Sequence, residues 1–121
     1  MLRSACLVVI ALLLSIAPFA QADVAGEWEV TFSTPQGPMD FTMYVIQNGT
    51  SLRGRFTSPS GEFQLTGRVD GDNVRIVWSL PDRGKLMEIT FIAKVDGDSM
   101  QGTARLATLG EGPLSAERTS R

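Results

Sequence analysis

In the stretch QLTGRVDGDNVRIVW, residues 64–78, apolar side chains fall on alternate positions either side of a glycine flanked by aspartates. Leu65, Gly67 and Val69 share one parity on the way in; Val74, Ile76 and Trp78 share the other on the way out. That switch is what a two-residue loop at Gly71-Asp72 requires. It pairs Asp70 with Asn73 and Val69 with Val74, so inward residues meet inward residues. A three-residue loop would turn the apolar set to the wrong face unless a bulge corrected it. A slide to Asp70-Gly71 keeps the parity, so alternation alone leaves two registers open. The echo AKVDGDSMQGTARL, residues 93–106, places a second loop at Gly97-Asp98 and pairs Val95 with Met100. In QNGT, residues 47–50, Asn48-Gly49 serves as a third loop and pairs Val45 with Leu52.

The repeated Asp-Gly-Asp also suggests a cation site. A helix–loop–helix calcium loop needs a glycine at its sixth position and a glutamate at its twelfth. Counted from Asp70 those positions hold Arg75 and Pro81. The aspartates are therefore turn residues, and no metal site is expected.

The same two-residue period runs through the rest of the chain. Inward sets are Trp28, Val30 and Phe32; Met39, Phe41, Met43 and Val45; Leu52, Gly54 and Phe56; Phe63 with Leu65 to Val69; Val74 to Trp78 with Leu80. Met87, Ile89, Phe91, Ala93 and Val95 form a sixth set, Met100, Gly102, Ala104 and Leu106 a seventh, and Leu114, Ala116 and Arg118 the last. No window carries a helical stripe. The fold class is all-β, and eight consecutive antiparallel strands predict an up-and-down β-barrel, since closure removes exposed edges. Inward Gly54, Gly67 and Gly102 are expected at bends or close approaches.

The chain has 121 residues, enough for one domain. Arg3 and the apolar run CLVVIALLLSIA, followed by Ala20-Gln21-Ala22, resemble a secretory signal over residues 1–22 with cleavage after Ala22. The run is too short for a membrane span, and a retained N-terminal anchor is the alternative. Residues 23–121 then form a single barrel domain, secreted or periplasmic. That domain has no cysteine and no histidine, which removes disulfides, thiol nucleophiles, histidine acid–base pairs and the usual zinc ligands. The net charge of −2 lacks the basic surface of a nucleic-acid binder. Outward positions hold Glu27, Glu29, Arg53, Arg55, Arg68, Arg75, Glu88, Lys94 and Arg105, the reverse of a membrane barrel's apolar exterior, so the barrel is not expected to insert. Tyr44, Ile46, Val77 and Ile92 are the outward apolar exceptions.

Parity puts the tight turns and both termini at one end. The segments STPQGP, TSPSGE, LPDRGK and ATLGEG are expected to form longer connections around the other, open end. Gly26-Glu27-Trp28 on the first strand and Arg118 on the last resemble the Gly-x-Trp motif and closing-end arginine of the calycin group, the lipocalin, fatty-acid-binding and avidin type of barrel. The recurring glycine-rich hairpins also resemble short exported bacterial barrels of uncharacterised function. The resemblance implies that Arg118 packs over Trp28 at a closed end structured by Gly26, Trp28 and Arg118, with any ligand at the other.

The open end would then offer an apolar pocket lined by Phe32, Met39, Phe56, Phe63, Leu80, Met87 and Leu106, suited to a lipid-like guest. The same residues could instead simply fill the barrel. No catalytic constellation, phosphate loop or cofactor is expected. The reading is a non-catalytic binding protein, a monomer, carrying a small hydrophobic ligand. The alternative is a protein-interaction module with a filled barrel. Calycin-like periplasmic protease inhibitors, which extend their N-terminus into the enzyme, are one such type; they typically carry a disulfide that this chain lacks.

Overall fold

The computed structural model describes residues 21–35, 37–59, 61–107 and 109–121. The signal-like segment falls outside them except for Gln21 and Ala22. Eight strands follow one another: β1 (Gly26–Thr34), β2 (Gly37–Asn48), β3 (Ser51–Ser58), β4 (Gly61–Asp70), β5 (Asn73–Asp82), β6 (Lys85–Asp96), β7 (Ser99–Leu106) and β8 (Gly110–Ser120). Each pairs antiparallel with the next and β8 returns to β1, closing the barrel. The all-β, eight-stranded up-and-down architecture read from the alternation is the observed one, with no helix among the described residues.

Two of the three tight hairpins have the expected register: Val69 pairs with Val74 and Val95 with Met100. The third does not. Asn48 pairs with Ser51 and Val45 with Gly54, so the loop is Gly49-Thr50. In all three loops a glycine with φ near +60° comes first, at Gly49, Gly71 and Gly97. The residue after it does not share that conformation, as in type II′ hairpin turns, where glycine takes the first central position. Parity survives the correction because the register moves by two.

The open-end connections are also shorter than expected. Thr34 pairs with Gly37, Ser58 with Gly61 and Asp82 with Lys85, leaving two residues between strands; Leu106 pairs with Gly110, leaving three. Arg83 and Gly84 both adopt positive φ, which lets β5 and β6 run up to the turn through Pro81 and Asp82. The strands lengthen to match, to 12 residues in β2 and β6. Both ends of the barrel are thus turned by tight hairpins.

The inward glycines let the wall curve. A Cβ on Gly102 would lie 2.0 Å from the Ile92 carbonyl oxygen, and one on Gly67 2.3 Å from that of Arg75. The neighbouring strand's backbone fills the space, so these positions are close approaches rather than room for a ligand. Inward side chains from every strand, Trp28 through Ala116, form one continuous buried core.

Candidate functional site at the open end

Five of the chain's six phenylalanines surround the Trp78 indole. Ring centroids lie 4.4 Å away for Phe56, 5.1 Å for Phe41, 5.8 Å for Phe91, 5.9 Å for Phe63 and 6.2 Å for Phe32. Most meet edge to face, the arrangement aromatic quadrupoles favour. This cluster occupies the barrel's middle. Its one polar group on the indole, Trp78 Nε1, is buried and has no hydrogen-bond partner among the described residues.

Above the cluster is a depression of about 150 Å³ lined by Thr34, Pro35, Met39, Leu80, Pro81, Met87, Leu106 and Leu109. Of the seven residues expected to line a pocket, Met39, Leu80, Met87 and Leu106 meet there. Phe32 and Phe56 do not: at 1% and 0% exposure they belong to the core beneath. Phe63 is half-buried beside Trp78, outside the depression's lining. Sequence reasoning missed the other four lining residues, Thr34, Pro35, Pro81 and Leu109, which lie in or beside the open-end turns. Leu86 and Leu109 are exposed large apolar side chains at this end. A 150 Å³ space is at the scale of a single benzene ring, below the 300 Å³ at which ligand pockets ordinarily start.

The other end is sealed. The Arg118 guanidinium sits 4.6 Å over the Trp28 ring. It donates to the carbonyls of Ala25 (2.7 Å), Asp23 (2.9 Å) and Gly97 (2.7 Å) and to Asp98 Oδ1 (2.9 Å). Trp28 Nε1 in turn donates to the Val24 carbonyl at 2.9 Å. Val24 is fully buried, so the segment before β1 acts as a floor. Its outer part is held as well: the Ala22 N–H donates to the Gly71 carbonyl and the Val24 N–H to Gln47 Oε1. Arg118 beside Asp98 holds that carboxyl below the usual range. On the outer wall Tyr44 and Thr119 hydroxyls donate to Glu27, lowering its pKa, and the same bond raises that of Tyr44. Arg55 lies over the Tyr44 ring at 4.7 Å.

The outward apolar exceptions form no single patch: Tyr44 and Ile46 lie on β2, Val77 and Ile92 on β5 and β6, with β3 and β4 between. Among the described residues no three His, Cys, Asp or Glu side chains gather closely enough to hold a metal ion. These features define a class, the closed eight-stranded antiparallel barrel with an apolar, aromatic-packed core. Comparison with protein-family models gives no match, and comparison with curated proteins gives none.

Proposed function

We propose that this chain is an exported, calycin-like, non-catalytic interaction module that engages a protein partner through the apolar open end of a filled barrel. The observation that carries this reading is the aromatic cluster around Trp78. With five phenylalanines packed on it, the barrel's middle is occupied by aromatic rings, and the depression at its mouth, about 150 Å³ among the described residues, is too small for a lipid-like guest. Exposed Leu86 and Leu109 beside that depression supply apolar surface of the kind that contacts another protein. The stacked Arg118 and Trp28 support the calycin resemblance. An inhibitor that works by a free N-terminal extension is less well supported, because Val24 is buried and Asp23 and Ala25 are bound by Arg118.

Native mass spectrometry of the protein purified from its own host, before and after organic extraction, tests this. The expected result is one unchanged mass, with a partner recovered by cross-linking through the mouth. A lipid-sized adduct removed by extraction would overturn the filled-barrel reading and restore the small-ligand one.

A further inference from the structure

The open end is not a continuous wall. Pairing between β4 and β5 stops at Leu65–Trp78, while β4 continues with β3 to the Ser58–Gly61 pair and β5 with β6 to Asp82–Lys85. Gly61–Gln64 and Ser79–Asp82 therefore flank an open seam. Its cause is local. Asp70 and Asn73 flank a two-residue loop and exchange both backbone bonds, so even-numbered β4 residues turn their N–H and C=O towards β5. The Val69 N–H, of the other parity, accordingly donates to the β3 side at Thr50 O. The Glu62 carbonyl should meet an N–H at position 81, but Pro81 has none to give. The pairing also ends before Gln64–Ser79, so the Gln64 N–H, which faces β5, lies outside the paired stretch.

We infer that the seam captures one extended residue of a partner protein, in register with Phe63 and parallel to β4. Such a residue donates its N–H to the Glu62 C=O and accepts from the Gln64 N–H through its own C=O, the bracket by which a parallel strand adds to an edge. Parallel neighbours in register share a face, so its side chain points inward with Phe63, towards Leu80 and the depression. The 150 Å³ there accepts one side chain of leucine, methionine or phenylalanine size. A backbone bracket beside a one-residue apolar socket selects an extended peptide with an apolar residue, and neither feature alone would. This rests on the proposed function, since a lipid in the barrel would occupy the same socket.

The test uses capped pentapeptides Ac-Ser-Thr-X-Thr-Ser-NH2, with X leucine, phenylalanine, methionine or alanine, titrated into the isotope-labelled protein. In the free protein the Gln64 amide should exchange with solvent far faster than that of Val69. An apolar X should protect it and shift the Leu80 and Met87 methyl signals. N-methylation at X should weaken binding about tenfold or more, and alanine at X comparably, while N-methylation of the first serine should do little. Placing the change in the peptide keeps the barrel intact. A Gln64 amide already protected in the free protein would overturn the inference, as would no response to any apolar peptide at millimolar concentration. Binding indifferent to N-methylation and confined to Leu86 and Leu109 would replace it with simple rim contact. If peptides fail while the barrel proves guest-free, only the seam inference falls; a lipid-sized guest removes the filled-barrel reading itself.

Discussion

Replacing Arg118 by alanine probes the closed end most directly. The side chain is 2% exposed and serves several functions at once. Its stack on Trp28, itself fully buried, is a desolvated cation–π contact that contributes about 1–2 kcal/mol. The bond to the part-buried Ala25 carbonyl is a charged-donor hydrogen bond, about 1.5 kcal/mol. The Asp23 and Gly97 carbonyls are solvent-accessible, and water replaces the lost donor there at little cost. The expected loss is about 3 kcal/mol, which for a barrel of this size lowers the thermal midpoint by about 12–24 °C. Thermal and urea unfolding followed by tryptophan fluorescence measure it, and hydrogen exchange shows whether the Val24 floor loosens first. Arg118→Lys should recover less than half, because an ammonium keeps the charge but cannot reproduce the planar fork over the indole. A midpoint for Arg118→Ala within about 3 °C of the parent would refute the reasoning, since neither the stack nor the bond to Ala25 could then be holding the floor.

Other outcomes follow from the same geometry. Gly102→Ala should cost about 3 kcal/mol or more by urea unfolding, because its Cβ meets the Ile92 backbone at 2.0 Å; Gly49→Ala, facing open space at φ +64°, should cost about 1 kcal/mol. Equal costs would show that the wall can relax around position 102. Trp28→Phe should destabilise by about 1 kcal/mol more than Trp78→Phe, because Trp28 Nε1 donates to Val24 whereas Trp78 Nε1 has no partner to lose; the reverse order would mean that the Trp78 N–H is satisfied in solution. Asp98 has a folded pKa depressed below 3.8, so its carboxylate stabilises the fold above that value and the contribution disappears as pH falls through the folded one. Asp98→Asn should therefore be the less stable protein at neutral pH, with the difference closing below about pH 4. A pH-independent gap in denaturation midpoints would mean that the Arg118 contact is not what the charge serves.

Strand order and facing were legible because period-two alternation has only two outcomes, and two-residue loops must conserve it. That constraint is modulo two: it admitted the observed loops at Gly71-Asp72 and Gly97-Asp98, and it equally passed the wrong loop at Asn48-Gly49 without conflict. The error came from treating Asn-Gly as the turn pair, when in this chain each closed-end glycine leads its turn. The longer connections expected at the open end failed for a related reason. Proline and glycine in LPDRGK look like loop composition, but Arg83-Gly84 can turn within two residues while Pro81 stays in strand at an unpaired edge. Around the mouth, Met39, Leu80, Met87 and Leu106 were expected together from parity and from their nearness in sequence to the open-end connections. Phe32 and Phe56 were not separable from them, because parity tells which face a residue occupies and says nothing of its depth.

By itself, then, the sequence determined an all-β chain, eight strands, their order and which side chains turn inward. All of these follow from alternation, from loop length and from the need to bury apolar side chains. Only the tertiary structure decided how full the barrel is and where its wall opens. Filling depends on which rings reach the same level from different strands, as five phenylalanines do around Trp78. The opening depends on which carbonyl faces Pro81 across the seam. Both are matters of register between strands distant in sequence, which no local pattern specifies.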